Sequence, residues 1–385
     1  MKKWIAVTGA VLMTASTASA SSSSLSPLFG YSNSRMDALG VNNWEVKDDH
    51  NVFFVPALIT NYKNALYGEF GSDACGAAGT CSAESGGQNL RGAATRFGGT
   101  HMEGMGGVWG LYLGRPYNGV FNAAGTILPA GIFAAVPTNN RFDFLYGMGT
   151  GMPVGIGVTY AGQRNDTPVT DNSFGELDLN ASASLMNGAL DAALTFGYGT
   201  AKDKAANDEA TAKALSLFLR SHRDMGGAGT LLTTLQGTWV DFGKDVDATT
   251  KSLLLDAALN CTSHQGALMI FALGASYANA TGVDSVSGRT YALPATIAIE
   301  HQTFKPVKVR FGVTKALWSH TDDDTVPSKV TPDGNPTVSF GLGWQVQDNL
   351  TVDAVVNQDV LFTGTHLVSG VPETLNAKVS GAWRW

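Results

Sequence analysis

The chain is short of the features that mark most functional classes. It has three cysteines, seven histidines and 15% charged residues in 385, and no long apolar run. A transmembrane helix needs about 18 or more consecutive apolar residues, so membrane-spanning helices are excluded. The few Cys and His never cluster with metal-ligand spacing, so neither a metal nor a resident cofactor is expected. A formal charge of -7, which becomes more negative by two if Lys2 and Lys3 leave with a leader, argues against a nucleic-acid partner. No Gly-x-Ser-x-Gly elbow or His-Glu-x-x-His helix occurs. Gly147-Met148-Gly149-Thr150-Gly151 lacks the Lys-Ser/Thr pair of a phosphate loop and reads as a hairpin turn. An enzyme is therefore not expected.

What the chain does have is alternation. From Thr374 to Trp385, Leu375, Ala377, Val379, Gly381, Trp383 and Trp385 share one strand face, and Asn376, Lys378, Ser380 and Arg384 share the other. An apolar face suits lipid and a charged face suits a wet lumen. The expected fold is all-β: a transmembrane antiparallel up-and-down β-barrel of about 16 strands, 14 to 16, with an amino-terminal luminal plug segment. Lys2 and Lys3, the apolar stretch Trp4 to Met13 and Ala18-Ser19-Ala20 resemble a signal peptide over 1–20, with a mature start at Ser21. A cleaved leader and a barrel place the chain in the outer membrane of a Gram-negative-type cell. Its expected partners there are outer-membrane lipids, a small-molecule cargo, and the barrel-assembly machinery through the carboxyl-terminal strand.

Short turns are predicted at Gln347-Asp348-Asn349, Thr303 to Pro306, Thr262 to Gln265, Asp224 to Ala228, Met186-Asn187, Gly149 to Met152 and Thr100 to Met105. Long extracellular loops are predicted over 72–90, 116–141, 162–174, 200–210, 242–250, 279–289, 319–336 and 359–373. Cys75 and Cys81 fall in the first of these, and an oxidising periplasm would allow a small disulfide loop. Cys261 lies on an apolar face with Leu253, Leu255, Ala257 and Leu259, as a small hydrophobe. His320 beside Asp322-Asp323-Asp324 reads as a solvated acidic loop, with a weak Ca²⁺ site as the alternative.

Val52-Phe53-Phe54-Val55 breaks the up-down parity if counted as a strand, so it is expected inside the barrel. Ser34-Arg35-Met36-Asp37-Ala38-Leu39-Gly40, Asp48-Asp49 and Asn51-Val52-Phe53-Phe54-Val55-Pro56-Ala57-Leu58 resemble the amino-terminal pattern of the FadL-like outer-membrane transporters. In that family the segment forms a hatch in the barrel. The resemblance implies a hatch over 21–63, with Phe53, Phe54, Pro56 and Leu58 as plug residues, and a barrel over 64–385.

Taking alternate residues inward, the lumen is expected to hold Glu69, Asp143, Glu176, Asp178, Asp191, Arg220, His222, Asp256, Glu300, Lys308, Arg310, Asp353, Lys378 and Arg384. Of these, Arg220, Asp256, Glu300, Lys308, Arg310, Asp353, Lys378 and Arg384 are the pore-lining candidates, as a self-satisfying lattice or a charged constriction. Phe218, Leu254, Leu268 and Ile270 also fall inward, to pack on the plug or hold an apolar cargo. Trp109, Tyr112, Tyr146, Tyr198, Trp239 and Trp318 are expected in interfacial girdles. The leading function is passive passage of small molecules, porin-like or FadL-like. The alternative is a non-transporting surface protein acting through its loops, with the apolar loop 116–141 as the candidate.

Overall fold

The period-two pattern becomes a hydrogen-bonded wall in the computed structural model. It describes residues 34–72, 94–115, 120, 141–166, 171–203, 208–263, 266–281, 287–323, 326–330, 337–358 and 376–385, apart from 245–247. The strands are β1 (Ala65–Ser72), β2 (Ala94–Gly104), β3 (Gly107–Leu113), β4 (Arg141–Met148), β5 (Val154–Asp166) and β6 (Asp171–Leu185). They continue as β7 (Leu190–Asp203), β8 (Asp208–Asp224), β9 (Thr230–Lys244), β10 (Ala248–Thr262), β11 (Leu268–Thr281) and β12 (Ser287–Phe304). The last are β13 (Val307–Asp323), β14 (Val326–Val330), β15 (Thr337–Gln347), β16 (Leu350–Gln358) and β17 (Asn376–Arg384).

Successive strands pair antiparallel, and β1 closes on β17 from Ala65↔Arg384 to Gly71↔Lys378. β14 only extends β13 at its outer end, because β13 pairs directly with β15 from Val307↔Trp344 to Thr314↔Thr337. The wall is therefore a closed barrel of 16 strands, which leaves no unpaired edge. The even number brings β1 and β17 to one end, where the Trp385 amide donates to the Asn64 carbonyl at 3.0 Å. The short turns lie at this end, which is the periplasmic one in barrels of this build.

Alternation decides which way each side chain faces. On β10, Leu255 is 57% exposed and its neighbour Asp256 is 4% exposed. The same contrast separates Leu215 and Leu217 from Ser216 and Phe218, and Val379 from Lys378. The outside is an apolar band and the inside is polar, which is the build of an outer-membrane barrel.

Several expectations on strand ends are corrected. The segments 162–174, 200–210, 242–250 and 279–289 are mostly strand rather than loop, because β5 to β12 continue past the apolar band. Beyond the lipid both faces turn polar, yet the backbone ladder continues. Likewise β13 runs to Asp323, so His320 and Asp322 stand on a strand and not in a loop. The turn assigned to Thr100 to Met105 narrows to Met105-Gly106, since β2 and β3 pair down to Gly104↔Gly107. Tyr112 points inward with Val108 and is 2% exposed, so it is not a girdle residue. Cys261 is a free thiol of intermediate exposure, whereas Cys75 and Cys81 lie outside the described residues.

Residues 34–63 lie against the inner wall. Helix α1 (Ser34–Leu39) is followed by two 3₁₀ turns, Asp49–Phe53 and Pro56–Asn61. Asp48 caps the first, accepting from the His50 amide, and Asn51 closes the capping box. Pro56 opens the second with its backbone angle already fixed. Both are held by burial: Trp44, Val52, Phe53, Phe54, Ala57 and Ile59 join Val108, Tyr112, Leu145, Phe218 and Leu254 of the wall in one apolar cluster. A second cluster joins Met36, Leu39, Val41 and Val46 to Ile270 and Ala298. Close approach needs glycine in the wall. A Cβ on Gly312 would fall 1.8 Å from the Leu39 carbonyl oxygen, and one on Gly155 would fall 2.3 Å from the Ala57 nitrogen.

Candidate functional site

Charged side chains on adjacent strands converge with those of the segment on one side of the lumen. Glu300 of β12 accepts from Arg310 Nε at 2.6 Å and Arg35 Nε at 2.9 Å, with Lys308 Nζ at 3.4 Å. Arg310 donates onward to Asp353 of β16 at 2.6 Å, and Arg35 to Asp48 at 2.8 Å. Lys378 of β17 pairs with Asp37 at 2.8 Å, while the Ser34 amide donates to Glu69 of β1 at 3.2 Å. Near the periplasmic rim, Arg384 reaches Asp49 at 3.0 Å. A cavity of about 240 Å³ lies among these groups, lined by Arg35, Asp49, Lys308, Arg310, Asp353 and Arg384.

The opposite side adds aromatic contacts to its own buried ion pairs. Phe54 stacks on Phe218 at 5.6 Å, Phe53 meets Tyr112 edge-on at 4.7 Å, and the Arg115 guanidinium lies 4.2 Å over the Phe53 ring. Polar contacts there bind the segment directly to the wall. Arg220 donates to Asn51 at 2.6 Å while paired with Asp191, Asn180 donates to the Phe54 carbonyl at 3.0 Å, and the Ala57 amide donates to Ser182 at 2.9 Å.

Six of the eight predicted pore-lining residues, Glu300, Lys308, Arg310, Asp353, Lys378 and Arg384, therefore share the stretch of wall from β12 to β17. Arg220 and Asp256 stand apart, on β8 and β10. Of the predicted plug residues, Phe53, Phe54, Pro56 and Leu58 are all buried. Their neighbours Arg115, Arg141, Asn180 and Ser182 were not singled out from sequence. The Arg141-x-Asp143 spacing was the available signal, since both fall inward and their side chains approach to 3.2 Å.

Asp48, Asp49 and His50 hold three potential ligand atoms within 4.8 Å of one another. Arg35 and Arg384 already engage the two carboxylates, so charge is balanced there without a metal. Burial pushes Asp48 up to about 6, reinforced by the Asp49 charge and opposed by Arg35. Burial likewise takes Glu45 up to about 7 against hydrogen bonds from Asn42. For His50 burial pulls down, but the Asp49 hydrogen bond and the charges of Asp49, Asp48 and Glu69 win and raise it. Asp49 goes the other way: burial is outweighed by the His50 hydrogen bond and charge, and it sits well below the carboxylate range.

The docked segment thus retains protons on Asp48, Glu45 and His50 that a released segment would lose. Their contribution is present below the ordinary carboxylate and imidazole values and is lost as pH rises through about 6 to 7. Asp49 opposes this only in stronger acid, below its ordinary value. Docking is expected to be tighter at pH 5.5 than at pH 8. A spin label at exposed position Lys47 should be less mobile at the lower pH, and the reverse trend would contradict the assignment.

No protein-family model matches the chain, and no curated protein matches it. Among solved structures, a bacterial polysaccharide outer-membrane secretin aligns with a TM-score of 0.46 at 9% identity, covering 83% of this chain and 97% of that one. CdiB from Acinetobacter baumannii aligns with 0.45 at 10% identity, over 84% of this chain and 59% of its own. The Pseudomonas putida toluene transporter TodX gives 0.40 at 10% identity, over 93% and 100%. Likenesses this distant say nothing of what the barrel does.

Proposed function

We propose that the chain is an outer-membrane channel for passive passage of small polar solutes, in which residues 34–63 act as a luminal plug that sets the flow. The observation that carries this is the lining of the lumen beside the segment. Inward Phe218, Leu254 and Ile270 pack against the segment. The cavity beside the segment is instead lined by charge. A wall of charged groups favours hydrated solutes and selects by sign. The segment is retained by hydrogen bonds, ion pairs and packing, interactions that can open and re-form.

Lys308 and Arg384 are the half-exposed cations of this wall, with side chains 43% and 47% exposed. Single-channel recordings of purified protein across a KCl gradient test the proposal. Lys308→Glu and Arg384→Glu should each move the reversal potential toward cation selectivity with the barrel still heat-modifiable. A selectivity unmoved by either substitution would put the passage elsewhere, and a barrel that never conducts would end the channel reading.

A further inference from the structure

The outer surface carries a layered patch on β10 to β13, at the end remote from the termini. Strand register places Lys251, Asn279, Arg289 and Asp322 side by side in one row across the four strands. The next outward row toward the barrel centre is Leu253, Tyr277, Tyr291 and His320, and beyond it Leu255 pairs with Ala275 and Leu293 with Trp318. The Tyr277 and Tyr291 rings lie 5.1 Å apart, and Trp318 stacks on His320 at 6.0 Å. A row bearing two cations over an aromatic row over an apolar row matches the change from headgroup to acyl chain at a membrane surface.

The cationic row is also unfilled. Lys251 and Arg289 are exposed and have no ion pair among the described residues, and Asp322 accepts from His320 at 2.9 Å on the far side. Asn279 stands between the two cations with its side-chain oxygen buried. With strands spaced about 4.8 Å apart, Lys251 and Arg289 are roughly 10 Å from each other. Two long side chains can close on one anion across that gap.

We infer that Lys251 and Arg289 form a site for the phosphate of a lipid headgroup in the outer leaflet, with Tyr277 and Tyr291 against the upper part of its acyl chains. A phosphate oxygen accepts from the Lys251 ammonium and the Arg289 guanidinium, and charge-assisted bonds of this kind are the stronger ones. The site lies outside the barrel, so it is independent of any passage through the lumen.

Native mass spectrometry of the detergent-purified barrel tests it, with dimyristoyl phosphatidic acid against dimyristoylglycerol, which has the same chains without the phosphate. The phosphatidic acid should be retained in preference. K251Q/R289Q should weaken that retention roughly 30-fold, from about 1 kcal/mol for each surface cation. K213Q, a cation on β8 outside the row, should leave it unchanged. Equal retention of the two lipids by the wild-type barrel, or no loss in K251Q/R289Q, would overturn the inference. Displacement of the lipid by inorganic phosphate at equal concentration would also overturn it, because the site would then be one for a free anion.

Discussion

A barrel lacking residues 34–57 should conduct several times more current per channel than the full chain, and it should still fold. The increase follows from volume, because these residues reach from Gly312 on one wall to Gly155 on the other with backbone contact at both. Folding should survive because the ladder from β1 round to β17 is made without them. The charges they leave behind, Glu69, Glu300, Arg310 and Lys378, would face water rather than an apolar medium, which restores much of their solvation. Single-channel recording with heat-modifiable gel mobility as the folding control measures both. An unchanged conductance would remove the segment's role in gating and leave it a purely structural insert.

The second large effect is expected from one carboxylate. Glu300→Ala takes the common acceptor away from Arg35 and Arg310, leaving two largely buried guanidiniums with one carboxylate each, Asp48 and Asp353. Removing one partner of a buried pair costs about 3 to 5 kcal/mol because the other charge remains desolvated. Part of that cost should be relieved by release of Arg35, and with it of α1. The variant is expected to lower the urea midpoint of the heat-modifiable form and to raise the open probability. Glu300→Gln keeps an acceptor oxygen and should fall between. If Glu300→Ala opened the channel no more than the wild type, the anchoring of α1 would lie in its other contacts, Asp37 to Lys378 above all.

Much of the wall could be read from sequence because lipid and lumen impose opposite chemistry on alternate residues. Lys308 and Arg310 between Val307, Val309 and Phe311 gave their facing without any structure. The limits of the strands could not be read in this way. Once a strand leaves the lipid, as at Thr200–Asp203 or Asp241–Lys244, its outward residues become polar and the contrast vanishes while hydrogen bonding continues. The partners of the luminal charges were hidden for another reason. Lys378 meets Asp37 across 341 positions, and Arg220 meets Asn51 across 169. No local spacing encodes such pairs, which arise only when the segment is folded against the closed wall. Phe53 and Phe54 could be recognised as residues without a place in the strand count, but Arg115 and Asn180, which receive them, could not.

The contacts of α1 also bear on how the barrel is made. Ser34 donates to Glu69 of β1, and three residues later Asp37 accepts from Lys378 of β17. One turn of helix therefore touches both strands of the seam, the pairing that joins the two ends of the sheet. During biogenesis that seam brings together strands from the two ends of the polypeptide, and its entropic cost grows with the length of chain between them. A helix that holds both strands shortens the search to a local one. In this view α1 is a clasp that eases a closure the strand ladder can also complete without it.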